Sequence, residues 1–203
     1  SLIMAGVTYK KKTLSTGLAL TAAGLYYSSL LKDKNFRGKS VVITGGSRGL
    51  GLSLAWNFLD RGASDITLIA RDEADLDRAK NILLRQFPLA HVLTQVCDVT
   101  DSKQLAVAID RALINMKGID ILVNNAGSML VAPFTTTEQA DYEAQMKLHL
   151  YAVVNATQFI LPHFKRSKGG QILNICSMGG NVAVPHMIPY DASKFALAGF
   201  SQG

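Results

Sequence analysis

The sequence predicts an α/β fold, a doubly wound parallel sheet built as a single domain. Three observations carry this reading. From Ser40 onward, short apolar runs alternate with longer stretches of helical period. The runs are continuously apolar rather than alternating apolar with polar, which is the pattern of strands buried on both faces. Between successive runs there is room for a helix that crosses the sheet and returns the chain parallel.

In order, "SVVIT" (40–44) reads as the first strand, followed by a glycine turn and a helix from about Leu50 to Arg61. "DITLIA" (65–70) is the second strand, and "EADLDRAKNILLRQF" (73–87) an amphipathic helix. "HVLTQVC" (91–97) and "SKQLAVAIDRALINM" (102–116) are the third strand and its helix. "IDILVNN" (119–125) is the fourth strand, and one long helix covers residues 138–165. "GQILNICS" (170–177) is the fifth strand, and a closing helix begins near Pro189. No internal repeat or low-complexity linker interrupts this order.

Composition narrows the function. A chain of 203 residues with 48% hydrophobic content fits one globular domain with a sizeable core. The net charge of +6 resides in residues 1–40, which hold seven Lys/Arg against Asp33 alone, whereas the remainder balances 14 basic with 14 acidic residues. The main domain therefore has no basic excess for phosphate polymers, and nucleic acid is excluded as the expected partner. Cys97 and Cys176 each end an apolar run and read as small buried hydrophobes in a reducing compartment. No Cys/His cluster has metal-ligand spacing, so no metal is expected.

Residues 1–38 stand apart from the domain at 39–203 as an N-terminal helical extension. "TLSTGLALTAAGLYYSSLL" (13–31) is uncharged and follows three lysines. Its 19 residues just suffice to span a bilayer, although Ser, Thr and Gly dilute its hydrophobicity. Flanking lysines fit a membrane anchor, and equally a secretory signal or a Ser-rich transit segment. An amphipathic helix packed on the domain or on a partner is the remaining reading.

The first strand runs into "TGGSRGLG", Thr44 to Gly51. Glycines at 45, 49 and 51 permit a tight turn and close approach of backbone to a pyrophosphate, with the next helix aiming its N–H groups at that anion. Its place between the first strand and first helix is the context that makes this motif a dinucleotide site. An NAD site places a carboxylate near the end of the second strand, but here Ala70 stands there, with Arg71 beside it and Arg48 in the turn. Two guanidiniums favour a 2′-phosphate, hence NADP(H). The alternative is that Asp72 supplies the carboxylate and Arg71 faces solvent.

With these motifs the segment 39–203 resembles the short-chain dehydrogenase/reductase family of the Thr-Gly-x-x-x-Gly-x-Gly type. The matching residues are Thr44–Gly51, "CDV" (97–99), "NNAG" (124–127), Ser177 and Tyr190-x-x-x-Lys194. The resemblance implies a Rossmann-like fold and a cofactor site formed by Thr44, Gly45, Ser47, Arg48, Gly49, Leu50, Gly51 and Arg71. Asp98 and Val99 would border the adenine, and Asn124, Asn125, Ala126 and Gly127 would line the cleft and support the sheet. Tyr190 and Lys194 would complete it. A homo-oligomer is expected.

A Tyr-x-x-x-Lys pair is weak evidence alone, because residues four apart on a helix meet on one face for packing reasons as well. Ser177, at the carboxyl end of the fifth strand, strengthens it. Hydride delivery to a carbonyl carbon leaves an oxygen that needs a proton. A free phenol, with a pKa of about 10, holds its proton too firmly. The Lys194 ammonium would favour phenolate and also bond the nicotinamide ribose. Tyr190 is then the general acid in reduction and the base in oxidation, while Ser177 polarises the carbonyl. Where the family has an asparagine in the long helix, this chain has His149. Either it replaces that asparagine, holding the relay water and titrating near neutral pH, or it is merely packed in the helix. Ser177, Tyr190, Lys194 and His149 are the candidate catalytic residues.

The loops "SMLVAPF" (128–134) and "MGGNVAVPHMI" (178–188) carry no Lys or Arg. They suit an apolar, lipid-like or steroid-like ketone or secondary alcohol, unless they simply pack on neighbouring structure. His186 is read as a surface or core residue. Family members continue beyond the closing helix with a further strand, a substrate-covering segment and a last strand. A truncated chain is therefore expected, able to bind cofactor but without substrate closure. The leading function is an NADP(H)-dependent oxidoreductase. The alternatives are a catalytically impaired nucleotide-binding or interaction protein, and a membrane-tethered structural partner. Its place would be at a membrane, with the domain in a reducing compartment, or in the cytoplasm.

Overall fold

The computed structural model describes residues 36–203. The expected N-terminal extension, including the uncharged run 13–31, lies outside the described residues. Five strands form one all-parallel sheet: β1 (Ser40–Thr44), β2 (Asp65–Ala70), β3 (His91–Val96), β4 (Ile121–Asn124) and β5 (Gln171–Asn174). Their order is β3-β2-β1-β4-β5. The helices are α1 (Gly49–Asp60), α2 (Glu73–Gln86), α3 (Ser102–Asn115), α4 (Gln139–Met146), α5 (Ala152–Arg166) and α6 (Ile188–Gln202). This is the doubly wound, Rossmann-like single domain that the alternating runs predict.

Both faces of the sheet are covered, as continuously apolar strands require. Successive side chains of a strand point to opposite faces. Val41 and Ile43 accordingly pack with Leu68, Phe58 of α1 and Leu76 of α2, while Val42 packs with Leu122, Leu105 of α3 and Ile160 of α5. The chain winds outward from β1 through β2 to β3, then returns to β4 on the other side of β1. The reversal opens a crevice at the carboxyl ends of β1 and β4, where open α/β sheets take ligands.

Several boundaries differ from the sequence expectation, and β3 ends one residue early, at Val96. The strands β4 and β5 are shorter, because residues after Asn124 and Asn174 leave the ladder to border the crevice; Ile175 still donates to the Asn124 carbonyl at 2.9 Å. The single long helix is also interrupted. A five-residue π turn, Lys147–Tyr151, joins α4 to α5.

The turn between β1 and α1 is held by close contact. Gly45 and Gly49 have φ of +65° and +54°, a region that side chains disfavour. Gly51 is demanded by space: a Cβ there would lie 2.2 Å from the Gly45 carbonyl oxygen and 2.6 Å from Asn125 Nδ2. Gly51→Ala is therefore expected to destabilise the fold by about 1–3 kcal/mol or more, read as a lowered urea midpoint.

Candidate active site

The crevice is a cleft of about 1030 Å³. Gly45, Ser47, Arg48, Leu50 and Gly51 line it from the first turn, and Arg71, Asp98 and Val99 from the ends of β2 and β3. Asn125, Ala126 and Gly127 line it after β4, and Ser177, Tyr190, Lys194 and His149 complete the set. Of the residues expected from the sequence, Thr44, Gly49 and Asn124 are not in the lining. Thr44 works from behind. Its Oγ1 accepts the N–H groups of Asn125 and Ala126 at 3.0 and 3.1 Å, while Asn125 Nδ2 donates to the Thr44 and Gly45 carbonyls at 2.9 and 3.1 Å. Asn124 Nδ2 donates to Asn174 Oδ1 at 2.8 Å, tying β4 to β5.

The first turn fits the pyrophosphate of a dinucleotide. The N-cap of α1, Arg48, is extended and provides no side-chain cap. By contrast, Asp72 caps α2, accepting Asp75 N–H at 2.7 Å, and Asp101 caps α3, accepting the N–H groups of Lys103 and Gln104. The α1 end thus presents its amide groups and positive dipole end toward the cleft, which is what an anion needs.

Around the end of β2 the side chains have definite partners. Arg48, with 82% of its side chain exposed, lies 3.5 Å from Asp75, which also pairs with Arg78. Asp72 is engaged as the α2 cap, and Arg71 is exposed beside it. Asp98 Oδ1 accepts both the N–H and the hydroxyl of Thr100, which folds the carboxylate back on its own loop. Cys97 also lines the cleft; burial, with the charges of Asp98 and Asp101, pushes its thiol up to about 11 and keeps it protonated.

The other half of the site is built on α6 and the loop after β5. Pro189 in the first turn of α6 suits a helix start. One turn of helix then brings Tyr190 and Lys194 together, both more than nine-tenths buried, with the ammonium 5.9 Å from the ring centroid. Lys194 Nζ donates to the Ile175 carbonyl at 3.0 Å, and burial lowers its pKa, opposed by Cys176. Ser177 is half-buried, and its Oγ accepts Gly179 N–H at 3.2 Å.

His149 is 1% exposed at the centre of the π turn. Its Nε2 accepts Ser128 N–H at 3.2 Å, and its Nδ1 lies 2.7 Å from Ser193 Oγ. Burial and the nearby Lys194 charge push its pKa down to about 4. The expectation of a histidine titrating near neutral pH is therefore corrected: desolvation disfavours the imidazolium. His186 is exposed, with φ +65°, and its carbonyl accepts Ala132 N–H at 2.8 Å, joining the two loops.

A sequence profile described as short chain dehydrogenase matches residues 39–203. The chain belongs to that family. Among curated relatives, the oxidoreductase BOA17 of Botryotinia fuckeliana is 33% identical over 159 residues, spanning 78% of this chain and 56% of that protein. A metagenomic short-chain oxidoreductase solved with NADP has a TM-score of 0.76 and 29% identity, over 83% of this chain and 76% of its own. NAD+-bound xylitol dehydrogenase has a TM-score of 0.78 and 25% identity, over 83% of this chain and 64% of its own. The chain thus spans little more than half the length of BOA17.

Several residues of the cleft and its surroundings belong to no motif. Gln145 is buried, lines the cleft, and lies with Nε2 3.4 Å from Ser128 Oγ. Asp191 is buried beside Tyr190; one oxygen accepts Val184 N–H at 2.7 Å, and the other faces Gly179, where a Cβ would come within 2.5 Å. It fastens the loop after Ser177 to α6. Lys147 brings a cation to the cleft from the π turn.

The His149 environment has a consequence for acid stability. The unfolded chain takes up a proton near the usual value of 6.5, the folded protein only near 4, so stability falls as pH drops between them. Wild type is expected to lose up to about 3 kcal/mol relative to His149→Gln across that window, measured by urea unfolding at stepped pH.

Proposed function

We propose that the protein is an NADP(H)-dependent oxidoreductase that interconverts an apolar ketone and its secondary alcohol. The observation that carries this reading is convergence. Ser177, Tyr190 and Lys194 line the same cleft as the glycine turn, the uncapped end of α1 and the turn after β4.

The residues assigned to the cofactor are the amide groups at the start of α1 for the pyrophosphate and Lys194 for the nicotinamide ribose. Arg48 and Arg71 are assigned to the 2′-phosphate. Asp72 supports the phosphate assignment, since one oxygen of its carboxylate already caps α2. The NADP-bound relative supports it too, whereas the NAD+-bound one shows that the fold accommodates either nucleotide. Bound in this cleft, the nicotinamide would supply or accept the hydride. Tyr190 gives its phenolic proton to the carbonyl oxygen in reduction and takes it back in oxidation. Lys194 stabilises the phenolate left behind, and the Ser177 hydroxyl donates to the same oxygen.

An apolar substrate is supported by the two loops beside the cleft. Met129, Val131, Phe134, Met178 and Val182 are between 61 and 67% exposed, a concentration of apolar surface of the kind that marks binding sites. Neither loop contains Lys or Arg; the cations that line the cleft, Arg48, Arg71, Lys147 and Lys194, come from other segments.

Tyr190→Phe is expected to lower ketone-dependent NADPH oxidation by about 10²–10⁴-fold while leaving NADPH binding nearly intact. Turnover equal to wild type in that variant would overturn the mechanism. Arg71→Ala is expected to weaken NADPH binding by about tenfold or more with little effect on NADH, because one charge-assisted contact to the phosphate is lost. Fluorescence titration with the two nucleotides checks this, and parallel weakening of both would reverse the NADP assignment.

A further inference from the structure

The imidazole of His149 touches both halves of the site. Ser128 N–H can only donate, so the Nε2 it meets at 3.2 Å must carry a lone pair. The ring proton then sits on Nδ1 and donates to Ser193 Oγ at 2.7 Å. The Ser193 hydroxyl in turn donates to the Tyr190 carbonyl at 2.6 Å. Every bond in this chain has a fixed direction. The ring also stands edge-on to the Tyr190 ring, with centroids 5.4 Å apart at 89°. On its other side it abuts Gly127, where a Cβ would lie 3.1 Å from Nε2.

We propose that His149 is a positioning residue, a neutral bridge that fixes the cofactor-side turn at Gly127–Ser128 relative to the helix carrying Tyr190. The inference rests on the reading of Tyr190 as the proton donor. It assigns the π turn a purpose: such turns are frequent at functional sites, and this one carries His149 at its centre. It also separates positioning from proton relay. The charged group facing the imidazole is Lys194, on α6, and with both ring nitrogens engaged the ring has no open position for proton exchange.

The two halves of the bridge can be cut separately. An asparagine amide reaches about as far as Nδ1, and a glutamine amide about as far as Nε2. His149→Asn keeps a donor for Ser193 and loses the acceptor for Ser128, whereas His149→Gln does the reverse. The expected result is a double dissociation. His149→Asn raises the NADPH Kd by about tenfold, and His149→Gln lowers kcat by about tenfold, each mainly on its own quantity. Both variants keep the inflections of the wild-type pH profile. A neutral-pH inflection that disappears in either variant would overturn the proposal in favour of proton relay. Equal losses in Kd and kcat in both variants, tracking a lowered Tm, would overturn it in favour of mere packing.

A spectroscopic measurement on the wild type covers the case of variants that fail to fold. Long-range 1H–15N spectra are expected to show the Nδ1-protonated tautomer unchanged from about pH 5.5 to about pH 8.5. Titration within that range, or an Nε2-protonated ring, would overturn the bridge. Full turnover by Tyr190→Phe would instead remove the catalytic reading. The NADPH affinities and the tautomer would still decide whether the bridge exists.

Discussion

The site depends on the junction between the ends of β1 and β4. Parallel neighbours that part at a crevice leave amide groups without ladder partners, and a buried unpaired amide costs about 1–3 kcal/mol. Thr44 Oγ1 takes two of them, those of Asn125 and Ala126, and the Asn125 side chain answers with two bonds to the carbonyls of Thr44 and Gly45. Four bonds thus hold open a gap that would otherwise close or fray. Gly45 and Gly51 let α1 sit against this junction, and the turn after β4 is presented to His149 and α6 in a fixed position.

From that junction the two halves of the site are arranged by different means. The half around the glycine turn is mostly backbone: glycine conformation, an uncapped helix end and a turn. The α6 half is mostly buried side chains whose hydrogen bonds leave little freedom, Lys194 on Ile175, Ser193 on Tyr190 and Asp191 on Val184. Loops then add the apolar surface. Tyr190 and Lys194 thus stand on a helix, while the exposed apolar side chains stand on loops.

The strands were legible because continuous apolar runs leave few alternatives, and β1 and β2 begin and end where the runs do. The glycine turn was legible because its spacing sits in the right place between strand and helix. The π turn was not, since its five residues, Lys147–Tyr151, continue a helical pattern without a break in composition. The protonation of His149 was not legible either, because it is set by burial and by Lys194, 45 positions away. Asp191, Ser193 and Gln145 belong to no motif, and their importance comes only from what tertiary packing places beside them. At the end of the second strand, one oxygen of the Asp72 carboxylate is taken up by an N-cap bond, a local contact that only the fold reveals.

The pairing of Arg48 with Asp75 has a further consequence. This guanidinium, though largely exposed, lies 3.5 Å from a carboxylate that Arg78 shares. An anion that recruits Arg48 therefore does so by exchange, and only the difference between two ion pairs appears in its affinity. Because the side chain is largely exposed, both pairs are screened by salt, so the exchange tends to cancel its own ionic-strength dependence. The charge presented at this corner is then set by Asp75 as well as by Arg48.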